Sequence, residues 1–152
     1  MRLEPIYRAR FSTPEAWSVE LTGDHGTEGQ SFLIAEGRTE GRIEAHLRAS
    51  NYPRRRTDGV LTPDFRGVLE TDDGATILFA WDGYVRAGAG GARELLGSMT
   101  HVSDDGRYGW LNDILCAVAG EVRPRAEGSG ADVVIEVSEL VWEPLPAAQG
   151  ET

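Results

Sequence analysis

The sequence predicts an all-β protein, a single antiparallel β-barrel of about eight to nine strands. Three observations predict it. Apolar and polar residues alternate with a period of two in short runs, as strands with one covered face do. Turn-forming residues, among them 19 glycines and 7 prolines in 152 residues, separate those runs. Only one stretch, "RYGWLNDIL" at 107–115, reads as a helical turn.

The elements follow in chain order. "PIYRARF" (5–11) opens the pattern, and in "WSVEL" (17–21) Trp17, Val19 and Leu21 share a face opposite Ser18 and Glu20. "TGDHGTEG" (22–29) reads as a longer loop leading to the strand "QSFLIAE" (30–36). "RIEAHLR" (42–48) sets Ile43, Ala45 and Leu47 against Arg42, Glu44, His46 and Arg48, and "DFRGVLET" (64–71) sets Phe65 and Leu69 against Asp64, Arg66, Val68 and Glu70. "ATILFAW" (75–81) is apolar on both faces, as a strand covered on both sides would be. "RELLGSMTHV" (93–102), "ILCAVAGEV" (114–122) and "DVVIEVSELVW" (132–142) complete the set. "TDDGA" (71–75) and "SDDGR" (103–107) carry the Asp-Gly signal of hairpin turns, whereas "RAGAGGA" (86–92) and "RPRAEGSGAD" (123–132) read as longer loops. Residues 1–142 form one domain without internal repeats, and 143–152, "EPLPAAQGET", read as a flexible tail.

Composition narrows the function classes. Apolar residues make up 40% and charged residues 26%, ordinary globular values. No apolar run is long enough to span a bilayer, and charges or proline interrupt "MRLEPIYRARF", so a cytoplasmic protein without a membrane partner is expected. The single cysteine, Cys116, sits in an apolar run and fits a reducing compartment. All 15 basic residues are arginine, against 25 acids, giving a net charge of -10 and a pI near 4.7. A polyanion would be repelled, so no nucleic-acid role is expected. His25, His46 and His101 are scattered, so no metal site is expected. "GAGGAR" (88–93) lacks the third glycine of a dinucleotide fingerprint, "TDDGA" has too few ligands for calcium, and no cofactor is expected.

The elements Asp58-Gly59, Asp64-x-Arg66, Thr71-Asp72-Asp73-Gly74-Ala75 and Tyr108-x-Trp110-Leu111-Asn112 stand in this order over roughly residues 37–122. In them the chain resembles the bacterial domain-of-unknown-function family 3237. The resemblance implies a small antiparallel barrel similar to allene oxide cyclase and calycin-like barrels, often oligomeric, with no established common activity. Members often carry a Gly-Gly-Asp-Trp-like stretch before Asp58, where this chain has "ASNYPRRR".

A barrel of about eight strands encloses packed side chains or one small ligand. If the polar strand faces line the lumen, Asp64, Arg66 and Glu70 converge there; if they face water, they are a solvated surface. In the first case Arg66 would hold developing negative charge and Asp64 or Glu70 would move a proton. That reading makes the protein a cofactor-independent isomerase, cyclase or lyase of small-molecule or natural-product metabolism. The alternatives are a non-catalytic ligand-binding barrel or an oligomeric structural protein. His46, Arg54, Arg56, Trp81, Tyr84, Trp110 and Asn112 are the candidate substrate-binding residues. Arg54 and Arg56, in a loop or rim, would meet an anionic ligand or acidic protein groups; the aromatics would wall a planar ligand or pack the core; Asn112 would cap a turn or orient a carbonyl. The expected partners are a small molecule, anionic or aromatic, and further copies of the chain.

Overall fold

The computed structural model describes residues 1–125 and 130–147, in which the alternating runs become ten strands. They are β1 (Arg2–Gly23), β2 (Gly26–Gly41), β3 (Ala45–Asn51), β4 (Arg54–Arg55), β5 (Leu61–Thr62), β6 (Asp64–Thr71), β7 (Thr76–Ala87), β8 (Arg93–Val102), β9 (Cys116–Pro124) and β10 (Ala131–Val141). Every pairing is antiparallel, and β1-β10-β9-β8-β7-β6-β3-β2 returns to β1, so the sheet closes on itself. Closure leaves none of these eight strands with a free edge along the barrel wall. The short β4 and β5 bridge β2 to β7 at one end as a small flap.

The single layer fixes which face is buried. With no second sheet or long helix among the described residues to cover the outside, the apolar face of each strand must turn inward. Phe11, Ala35, Leu47, Leu69, Ile77, Phe79, Ile135 and Val137 are all buried there. Contrary to expectation, β7 is covered on one side only: Ile77, Phe79 and Trp81 point in, while Leu78 stands on the bare outer wall.

Two further expectations are corrected in the first hairpin. "PIYRARF" and "WSVEL" belong to one strand, β1, whose register against β2 shifts between Ser12 and Glu15. "TGDHGTEG" is no long loop, because pairing continues to Gly23 and Gly26 and leaves only Asp24 and His25 to turn the chain. Hydroxyl pairs carry the register outward, Ser18 with Ser31 at 2.7 Å and Thr22 with Thr27 at 3.0 Å. The outer part of this hairpin therefore rises from the barrel end as an arm, flanked by β4 on its β2 side as far as Gly29.

The opposite end is plugged. "SDDGR" does not make a tight hairpin; the chain from Ser103 crosses the barrel end through a 3-10 turn, Gly109–Leu111, in the stretch that reads as a helical turn. Leu111 is fully buried in the plug, with Tyr108, Trp110 and Ile114 packed against the core. The turn after β6 locks onto it: the Tyr108 hydroxyl donates to both Asp73 carboxylate oxygens at 2.9 Å, and Arg107 donates to the Asp73 carbonyl at 3.0 Å. Arg107 also holds the Asp105 carboxyl down at about 2, chiefly through side-chain hydrogen bonding.

Asn112 ties the plug to β8. Its Oδ1 accepts the Ser103 N–H at 2.8 Å and its Nδ2 donates to the Ser103 carbonyl at 2.9 Å. Asn112→Ala is expected to cost about 1–2 kcal/mol, since both backbone groups of the buried Ser103 lose their partner. Equilibrium urea unfolding measures it; an unchanged midpoint would show the bonds to be energetically idle.

No described helix is long and apolar enough to cross a membrane. Of the expected tail, 143–147 carry no regular structure and 148–152 lie outside the described residues, as do 126–129 of the loop before β10.

Candidate ligand-binding site

With one end plugged, the other end offers a way into the barrel along its axis among the described residues. A cavity of about 240 Å³ occupies this mouth. Its floor is aromatic: Phe65 and Trp81 stack with centroids 4.8 Å apart at 11°, and Phe11 meets Phe65 edge-on at 5.4 Å. Leu61 and Pro63 from the flap side, with Val85, Leu95, Val122 and Val133 from the wall, make the sides hydrocarbon. The polar lining groups are few. Asn51 is buried and accepts the Asp64 N–H at 3.0 Å; Thr13 lies near the bulge; and Arg93, at the start of β8, brings the one charge among the described lining residues. A mostly apolar hollow with a few polar groups is the common form of a small-molecule site.

Below it the lumen is filled and carries a buried polar chain. Tyr7 Oη lies 2.8 Å from His101 Nε2 and 3.2 Å from Met99 Sδ, and Cys116 Sγ lies 3.9 Å from His101 Nδ1. One arrangement uses every donor: the Cys116 thiol donates to Nδ1, Nε2–H donates to Tyr7, and the Tyr7 hydroxyl donates to Met99. It requires neutral imidazole, and burial favours that form by drawing the His101 pKa from 6.5 to about 4. Burial also pushes the Cys116 thiol up to about 11 and raises Tyr7 well above its ordinary value. These groups are held in their protonated, uncharged states.

The structure places most of the sequence-derived candidates elsewhere. The inward direction considered for Asp64, Arg66 and Glu70 is corrected: all three project from the outer face of β6, with the Asp64 and Arg66 side chains 59% and 77% exposed and 3.5 Å apart. The reason is that β6 has a single covered face, which Phe65 and Leu69 occupy. His46 is on the outer face of β3, 3.5 Å from Glu36. Trp110 and Asn112 belong to the plug, at the wrong end for the mouth, and Arg42 lies 4.2 Å over the Trp110 ring. Trp81 alone of the ten lines the cavity.

The arginine run is divided by strand alternation. Arg55 donates to Glu20 at 2.8 Å, and Arg56 pairs with Asp58 at 2.5 Å while lying 5.9 Å from the Tyr84 ring. Two of the three thus meet acids of their own chain. Arg54 makes no ion pair among the described residues and shares an open outer groove with Tyr52, Asp64, Arg66 and Tyr84. Phe11, Phe65, Asn51 and Arg93 are the site residues that sequence reasoning missed.

Fold and cavity together define a closed antiparallel β-barrel with one plugged end and one apolar, ligand-sized mouth. The model of DUF3237, a family described as protein of unknown function, matches residues 1–140, and the chain belongs to that family. Solved structures share the fold. A β-barrel-like protein from Acinetobacter baumannii is 20% identical with a TM-score of 0.75, covering 91% of this chain and 94% of that one. A protein of unknown function from Clostridium acetobutylicum is 14% identical with a TM-score of 0.76, over 93% and 100% of the two chains. A conserved protein of unknown function from Rhodopseudomonas palustris is 14% identical with a TM-score of 0.72, over 92% and 97%. No curated protein matches the chain.

Proposed function

We propose that the protein is a small-molecule-binding barrel that takes a compact, largely apolar ligand into its mouth, with Arg93 holding an acidic end group. The observation that carries this reading is the cavity of about 240 Å³ over the stacked Phe65–Trp81 floor. That volume lies just below the roughly 300–1,000 Å³ range of small-molecule pockets, so a single ring with a short chain fits and a sterol does not. The flat stacked floor favours an aromatic ring, and a guanidinium at the rim favours a carboxylate.

Binding without chemical conversion is the form of the reading that the lining supports. Proton transfer needs an acid or base within reach of the ligand. Among the described lining residues there is no carboxylate, imidazole or thiol, and the acids once considered for that role stand on the outer wall.

The test uses 4-phenylbutyrate and its amide, titrated by calorimetry. For about twelve heavy atoms at the efficiency of small ligands, a Kd on the order of 0.1 mM is expected. Arg93→Gln should weaken the carboxylate about tenfold and leave the amide unchanged, a modest effect because Arg93 is exposed. Val85→Trp, which fills the cavity, should remove saturable binding of both. Undiminished binding to the Val85→Trp protein would place the ligand elsewhere.

A further inference from the structure

The arm has two unlike faces. Beyond the bulge the mouth-side face carries Ala16, Ser18, Glu20 and Thr22 opposite Leu33, Ser31, Gly29 and Thr27. The outer face carries Trp17, Val19 and Leu21, with Phe32 opposite Trp17. Phe32 touches Trp17 at 6.0 Å and Tyr52 at 6.1 Å between centroids, so the five side chains form one continuous stripe. Trp17 is 56% exposed, Val19 and Leu21 are each 63%, and nothing among the described residues covers them.

We propose that this stripe is the interface of a homodimer in which two copies pack the outer faces of their arms together about a twofold axis. Beyond Gly29, where the pairing of β4 with β2 stops, the arm is a two-stranded ribbon, which is marginally stable in water on its own. The arm nevertheless holds strand pairing to its tip, so its apolar face calls for a partner. Area supports a second copy. Half of the roughly 150–250 Å² of each aromatic ring, with comparable shares from Val19 and Leu21, amounts to roughly 450 Å² per copy. Two copies bury about 900 Å², just under the roughly 1,000 Å² floor for a specific interface, and the flanks of the arms add to it.

Charge points to the same occupant. At a net charge of -10, contact between two copies is repulsive over most of the surface. The stripe is an exception, an uncharged strip with Arg54 beside Gln30 at its margin and Glu28 opposite Leu21 at its tip. An antiparallel twofold brings the margin of one arm toward the tip of the other, setting Arg54 near Glu28 of the other copy. The polar inner faces are left over the mouths, which stay open to solvent.

Light scattering after size exclusion reads the outcome. One chain is 16.5 kDa, and the wild type is expected at twice that mass, with Trp17→Glu/Leu21→Glu and, separately, Val19→Glu at the mass of one chain. These residues lie outside the barrel, so the variants should keep the wild-type circular dichroism; Val19→Glu remains the readout should the double variant misfold. A wild type of single-chain mass at 100 µM would overturn the proposal. So would a dimer that survives Val19→Glu, or one that Leu78→Glu on the barrel wall dissolves instead. Sedimentation of a single-chain wild type with phosphatidylcholine vesicles would give the stripe to a lipid surface and also overturn it.

Discussion

Gly37→Ala is expected to abolish stable folding of the barrel. Gly37 lies in β2 between Phe11 of β1 and Leu47 of β3, on the inward face. A β-carbon there would sit 2.0 Å from the Arg10 carbonyl oxygen and 2.6 Å from the Phe11 α-carbon. Both are backbone atoms, so no rotamer change relieves the clash, and β1 must move away from β2. Adding atoms to a packed core costs typically 1–3 kcal/mol when side chains alone adjust. Parting two wall strands costs more, so a loss of at least about 4 kcal/mol is expected from a domain whose total is about 5–15 kcal/mol. Urea unfolding of the purified variant checks it. Since the arm and wall share β1 and β2, a variant within 1 kcal/mol of wild type would mean that the approach of β1 to Gly37 is not required.

The second large effect is an acid-sensitive fold set by His101. In the unfolded chain its imidazole takes up a proton near pH 6.5; in the barrel, burial delays that to about 4. Between these values the unfolded state binds more protons, so stability falls as pH drops from 6.5 to about 4 and levels off below. The interval is worth about 3 kcal/mol. At neutral pH both states are uncharged at this site and nothing is lost. The groups facing the ring are Tyr7, Met99 and Cys116, none of which supplies a negative charge to hold an imidazolium, because burial keeps the phenol and thiol protonated. Asp105 acts in a separate window, stabilising above 3.8 and losing its contribution toward about 2. His101→Gln should flatten the dependence of unfolding free energy on pH between 6.5 and 4. An equally steep limb in that variant would assign the sensitivity to other groups.

The barrel itself was readable from alternation, because a strand covered on one face writes its burial into every second residue. Its interior was readable in principle too. "DFRGVLET" offers two faces, and in a one-layer closed sheet only the apolar one, Phe65 and Leu69, has anywhere to be buried. Placing Asp64, Arg66 and Glu70 inside would have required a lumen wide enough to keep charges hydrated, more than eight strands enclose. Other features are hidden for physical reasons. The shift between Ser12 and Glu15 inverts the facing of β1, so Phe11 points in while Trp17, Val19 and Leu21, also odd-numbered, point out. No single period reveals such a bulge. Arg93 joins the mouth only because β8 lies beside β9 and β7, an order that strand patterns leave open. Two of the four motifs that carry the family resemblance prove to be closure devices: "TDDGA" and "YGWLN" meet at the plug through Asp73 and Tyr108.

The sealing of Cys116 beneath the plugged end has a practical corollary. The chain's one thiol is fully buried and protonated, and the sequence contains no lysine. The folded exterior is thus silent toward maleimides and free of lysine amines. A cysteine introduced at the arm tip or the rim would be the sole reactive handle there, so spin labels or fluorophores could measure arm separation and mouth occupancy against a blank background.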